Sequence, residues 1–417
     1  MTSPPDHQSA FRTWSAQSAD AFLLLAVVGL PWSISVALLF LVLWAIAAIC
    51  ASRFADVARE LATAAAGLAA ALAALAILGM TWMHGTWAEA LGGADAFFKL
   101  LAIPLLFAQF RRSEAAKWIF GGYLASCTVL LTLSWIVVIW PQAAFSSGHE
   151  PGVPLKSAES QGVEFVICAF ALLFIGIDGI RRRHLRLGFA AFALALLFLA
   201  DLCTILIAVK PFIVPHFVLL TIVILIMILT VKAFAMRGLI AAAILVAAIG
   251  ASVWICADTA RGKNETAVDV IASRTHDLIG NDRLAYWTKS IGFIADAPRF
   301  GHGSGSILAT FARSAADEPA DHAHVTDNPH QQTLAVGIQL GLAGIAILWA
   351  MWLSQLLLFS GGSIAHWIGF TAVIQNIIGS LFQSDVADFT AGWVYVLTVG
   401  IAGGVVRALH EQTRSAD

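Results

Sequence analysis

The chain has 417 residues, of which 59% are hydrophobic and only 12% charged, against roughly 25% charged in ordinary soluble domains. This excludes a soluble globular domain; the formal net charge of −2 says nothing about partners, and no nucleic acid is expected among them. The five cysteines (Cys50, Cys127, Cys168, Cys203 and Cys256) are scattered without a C-x-x-C pair, so neither a zinc site nor a disulfide framework is indicated.

From the start, Met1 to Asp20 is polar, with no basic n-region and no small-residue cleavage site, so no signal peptide is expected. Twelve apolar segments follow, each to be compared with the roughly 20 residues a crossing needs. They are Phe11–Leu30, Trp32–Cys50, Leu61–Met83, Ala96–Phe110, Lys117–Trp140, Gly162–Ile177, Leu187–Leu202, Phe212–Val231, Gly238–Cys256, His330–Phe359, Ile364–Phe382 and Phe389–Leu409. The expected fold is an all-α polytopic membrane protein of about twelve transmembrane helices. Residues 1–256 carry helices one to nine, 257–329 form one large outer loop, and 330–417 carry helices ten to twelve and a tail.

Charge placement sets the orientation. With the N-terminus cytoplasmic, the inner side collects Arg12, Arg53, Arg59, Arg111, Arg112, Lys117, Arg181, Arg182, Arg183, Arg186, Lys232, Arg237, Arg407 and Arg414. The short outer loops and their flanks hold only Lys99, Lys156 and Lys210, so both termini are expected in the cytoplasm. The large outer loop is too long and polar for a connector. Within it, Ala267–Leu278 and Leu284–Ile294 read as helices, the second capped by Asn281 or Asp282 and stopped by Asp296 and Pro298. Its residues Leu284, Trp287, Ile291 and Ile294 share an apolar face suited to the membrane surface or the bundle. Ser314–Asp327 is acidic, His-bearing and expected to be mobile.

The loop ends at Asn328-Pro329-His330-Gln331, where an apolar helix begins. Pro329 suits a first helical turn and Asn328 can cap it. On a straight helix Gly337, Gly341 and Gly344 fall within about 40° of His330, a smooth trough with a titratable ring at its mouth. Tight helix packing and approach of a lipid chain are both open readings of these glycines. Histidine titrates near neutrality, which makes His330 the best general base in the chain; the plainer reading is an interfacial hydrogen bonder.

Two cations accompany it. Arg283 lies in the first turn of its helix, where the macrodipole disfavours a cation unless an anion binds there; an exposed pair with Asp282 is the alternative. Lys210 lies at an outer break between Asp201 and Pro215 and serves an anionic partner or merely snorkels to the interface. Asp385 and Asp388, in the last outer loop, are either solvated carboxylates or groups that orient a base. Gly301-His302-Gly303-Ser304-Gly305 reads as a turn rather than a phosphate nest, since no G-K-[ST] follows. His322, His324 and His330 with Asp321 and Asp327 fit no standard metal signature, and no metal is assigned.

These residues resemble the bacterial O-antigen ligases and their relatives, the O-antigen polymerases and protein O-oligosaccharyltransferases. The family motif is His, then Asn, Ser or Gln, nine residues, Gly, two residues, then Gly, Thr or Tyr. His330-Gln331, nine residues, Gly341, Leu-Ala and Gly344 satisfy it. The family's loop arginine, aromatic and P-x-x-G-x-G stretch are matched by Arg283, Trp287 and Pro298-Arg-Phe-Gly301-His-Gly303. Where the family carries a second arginine this chain has Lys210, which keeps the charge but loses the bidentate fork.

The resemblance implies a GT-C-type glycosyltransferase that needs no metal and no cofactor. It would move O-antigen glycan from undecaprenyl pyrophosphate to lipid A-core at the periplasmic face of the bacterial inner membrane, with inversion. In it His330 is the base, Arg283 and Lys210 hold the pyrophosphate, and Gln331, Gly341, Gly344, Asp385 and Asp388 support the site. A polymerase or protein O-oligosaccharyltransferase of the same family is the near alternative, and a polysaccharide transporter or flippase the non-enzymatic one. Against the latter, the ionisable groups gather on one side rather than at the midplane.

Overall fold

Alanine and leucine dominate the apolar runs, and both cost little to place in a helix, the one long element that satisfies its own backbone in lipid. The computed structural model describes residues 7–143, 152–208, 281–316 and 324–416, and every regular element among them is helical. In chain order these are α1 (His7–Gly29), α2 (Ile34–Ala51), α3 (Phe54–Leu61), α4 (Ala64–Gly79), α5 (Trp87–Phe98), α6 (Ala102–Phe110) and α7 (Ala116–Ile139). After them come α8 (Ala158–Arg181), α9 (Leu185–Ala208), α10 (Asn281–Asp296), α11 (Ile307–Ala316), α12 (Gln332–Leu358), α13 (Ile364–Gly379) and α14 (Phe389–Ala416).

Among the described residues seven helices are long and apolar enough to cross a membrane, or eight if the bent pair α3–α4 is one span. The chain is a multi-pass membrane protein. The expected segments Phe212–Val231 and Gly238–Cys256, the helix expected over 267–278, Lys210 and His322 lie outside the described residues. Expected segment Phe11–Leu30 is helical but carries Arg12 and Asp20, and Ile364–Phe382 forms only the 16-residue α13.

Two boundaries differ from the sequence reading. The third segment does not begin cleanly at Leu61. The chain turns there by 93° between α3, which carries Asp56, Arg59 and Glu60, and the alanine-rich α4. The fourth span starts at Trp87, not Ala96, because Thr86 and Glu89 form a capping box: Thr86 Oγ1 accepts from Glu89 N at 3.3 Å while Glu89 Oε2 accepts from Thr86 N at 2.7 Å. This places Lys99 midway along the Trp87–Phe110 span, where its side chain is buried, rather than on an outer flank.

The chain divides into two compact units, residues 1–130 with 289–417, and residues 131–288. In the first, α1 packs on α2, α4 on α12, and α6 and α13 on α14. Buried polar contacts fix the register: Trp44 Nε1 donates to Gln109 Oε1 at 2.8 Å, and Gln109 Nε2 to Asp20 Oδ1 at 2.6 Å. Trp352 Nε1 donates to Asn376 Oδ1 at 3.0 Å. At the α6 C-terminus the Arg111 guanidinium, 4% exposed, meets Asp56 at 3.2 Å, Glu60 at 3.3 Å and Glu411 at 3.0 Å. Arg407 Nε reaches Glu60 at 3.2 Å, and Arg112 pairs with Asp56. The 28-residue α14, about 42 Å long, separates this ionic end of the unit from the loop at Asp388. In the second unit the buried Asp201 carboxylate receives Ser134 Oγ at 2.6 Å and Gln161 Nε2 at 3.2 Å, and Lys156 pairs with buried Glu164 at 3.3 Å.

Candidate functional site

Helix α12 begins three residues later than its proline suggests. Gln331, not Asn328, is the cap: its side chain accepts from Leu334 N at 2.5 Å. His330 therefore precedes the helix, with φ 54°, a left-handed conformation in which histidine is several-fold enriched among non-glycine residues. Asn328 has a different task. Its Oδ1 accepts from His330 N at 2.8 Å and from Ser384 Oγ at 2.8 Å, bending the chain at the histidine and tying it to the α13–α14 loop.

That loop is cross-bonded to the start of α12. Gln332 N donates to Ser380 O at 2.9 Å, and Gln332 Oε1 accepts from Val386 N at 3.0 Å. Between these bonds the half-buried His330 ring puts Nδ1 2.9 Å from Gln383 Oε1. A carbonyl oxygen only accepts, so Nδ1 carries the proton and donates, and Nε2 keeps its lone pair. Nε2 has no protein partner among the described residues. The ring is thus oriented by a neutral amide.

The expected carboxylates do not do this. Asp388 is an exposed loop carboxylate whose Oδ1 accepts from Ala391 N at 2.7 Å and caps α14, Asp385 is buried in the same loop, and neither is bonded to the ring. Lys99 anchors the loop from below: Nζ donates to Asp388 O at 2.8 Å and lies 3.4 Å from Ala387 O. Gln383 carried no signal in the sequence. Lys99 carried one, a lone cation inside an apolar run.

The glycine trough is not formed. His330 is off the helix, and α12 breaks at Gly341 (φ 64°, ψ −162°), roughly 15 Å along the axis from Gln331. The break is filled by the Pro298–Gly305 segment, which crosses it in extended contact. Leu342 N donates to Pro298 O at 2.7 Å, Ala343 N to Arg299 O at 3.2 Å, His302 N to Ile338 O at 2.8 Å and Gly303 N to Gln339 O at 2.9 Å. A Cβ on Gly341 would meet Arg299 and Gly301 backbone at 2.6 Å, and one on Gly301 would meet Gln339 and Gly341 backbone at 2.5–2.6 Å. Gly337 faces Ile294 of α10, and Gly344 faces its own helix's Leu340 and Val336. Gly341 hence serves a chain crossing, some distance from His330.

The same bonds dispose of a phosphate nest at 301–305. Ser304 N donates to Gly79 O at 3.2 Å and Gly305 N to Gln339 Oε1 at 2.7 Å, so these backbone donors are spent on the protein. Helix α10 is present as expected, over Asn281–Asp296. Its buried residues are Ser290 and Phe293, the latter edge-on to Phe311 of α11 at 5.0 Å, while Leu284 and Ile291 stay exposed. Helix α11, at Ile307–Ala316, was not anticipated and takes up the start of the stretch expected to be mobile. Within the second unit Arg283 is half-buried, not freely exposed beside Asp282. Burial lowers the pKa of its guanidinium, and the negative charge of Glu159 opposes that shift.

No curated protein matches this sequence. Residues 214–349 match the family described as O-Antigen ligase, a stretch that takes in Arg283, the 298–305 crossing, His330, Gln331 and both motif glycines. Over this stretch the chain is similar to the O-antigen ligase family.

Proposed function

We propose that this chain is a GT-C-type membrane glycosyltransferase that moves O-antigen glycan from undecaprenyl pyrophosphate to a sugar hydroxyl of lipid A-core. The reaction takes place at the periplasmic face of the inner membrane. The observation that carries the reading is the His330 ring: Nδ1 donates to Gln383, and Nε2 is left as an acceptor on a residue that opens the family motif. Nε2 takes the proton of the acceptor hydroxyl as its oxygen attacks the anomeric carbon. The bond from that carbon to the pyrophosphate oxygen breaks with its electron pair leaving on the phosphate, and the anomeric centre inverts. Arg283 and Lys210 stabilise the charge that develops on the leaving group. The partially desolvated guanidinium of Arg283 favours an anion, because its interaction with one is weakly screened. The histidine then returns its proton to solvent.

The test is His330→Ala and Arg283→Ala in cells that make both substrates. Each variant is expected to insert normally and to accumulate lipid-linked glycan while the core stays unsubstituted. A normal lipopolysaccharide ladder with His330→Ala would end the general-base assignment, and capped core bearing single repeats would assign polymerase chemistry instead.

A further inference from the structure

We propose that Gln383 is the positioning residue of this reaction, fixing His330 as its Nδ1–H tautomer so that Nε2 is aimed at a sugar hydroxyl; this rests on the reading of His330 as the base. The 2.9 Å contact to Oε1 assigns the proton, since the amide oxygen has no hydrogen to give. Both partners are held by backbone. Gln383 N donates to Gly379 O at 2.8 Å and Phe382 N to the same oxygen at 2.9 Å, closing a tight turn at the end of α13. Opposite it, the left-handed backbone of His330 is over-determined by Asn328, and the two loops are joined by the Gln332–Ser380, Gln332–Val386 and Asn328–Ser384 bonds. The ring is thus gripped on its Nδ1 edge by elements that cannot drift apart singly.

A neutral amide has a consequence that a carboxylate would not. It selects the tautomer without stabilising the imidazolium by charge. The charged groups on the two loops that hold the ring are Asp327 on its own loop and Asp385 and Asp388 on the Gln383 loop, with Lys99 bonded to the latter; none is bonded to the ring. Charge added at position 383 would be the one directly in contact with the ring.

The experiment measures kcat and KM against pH for purified enzyme with lipid-linked glycan and core acceptor. Gln383→Glu, nearly isosteric, is expected to fold and to move the rising limb of kcat up by about one pH unit, as a carboxylate on Nδ1–H stabilises the imidazolium. Gln383→Leu is expected to lose about 10- to 100-fold in kcat with donor KM within about threefold. Gln383→Asn keeps the amide and is expected to recover part of that loss at the wild-type pH midpoint. An unmoved limb in Gln383→Glu, or kcat within twofold of wild type in Gln383→Leu, overturns the proposal if His330→Ala is inactive. If His330→Ala retains activity, the general-base reading itself has failed.

Discussion

Gly341→Ala tests whether the break in α12 is built to pass a second chain. At φ 64° and ψ −162° the backbone lies in a region that is essentially glycine-only, so a side chain there costs about 1–3 kcal/mol in strain alone. The new Cβ would also sit 2.6 Å from the Arg299 carbonyl and Gly301 N, which are backbone atoms and cannot rotate away. If the crossing separates to make room, it forfeits the bonds at Leu342, Ala343, His302 and Gly303, each worth about 1 kcal/mol net. The total is then about 5–7 kcal/mol, and strain by itself sets the lower bound. Gly292→Ala is the control. It lies in the neighbouring α10, a Cβ there meets nothing within 4 Å, and alanine in a helix is favoured by about 0.5–1 kcal/mol. In detergent, thermal unfolding followed by loss of the monodisperse peak should drop by about 5 °C or more for Gly341→Ala, and be unchanged or higher for Gly292→Ala. Equal melting of Gly341→Ala and wild type would refute the crossing as a stabilising element.

Two further outcomes follow from the buried charges. Glu60→Gln leaves Arg111 and Arg407 without their shared carboxylate and should cost about 3–5 kcal/mol, seen as an earlier thermal transition. Arg59→Ala, which removes only the exposed 3.9 Å pair with Glu411, should cost under about 1 kcal/mol in the same assay, and comparable losses would deny the difference. Lys99→Met should speed hydrogen exchange over residues 380–388 and lower kcat about tenfold with little change in donor KM. Unchanged exchange there would show that Lys99 does not hold the loop.

Composition alone determined that this chain folds as membrane helices, because long alanine- and leucine-rich runs have no other way to satisfy their backbone in lipid. Spacing alone marked His330 and the motif glycines, and the family match spans them. Helix α10 was also legible, since its amphipathic period and its Asp296–Pro298 stop are local signals. What local signals could not decide is which groups meet across the sequence. The partner of His330 lies 53 residues away and is an uncharged glutamine, invisible to any search for titratable neighbours. The glycines, read as one face of a straight helix, become a break once another segment's backbone competes for the same hydrogen bonds. Hydrophobic period is written residue by residue along the chain; hydrogen-bond partnership between distant loops is settled only when packing brings their backbones together.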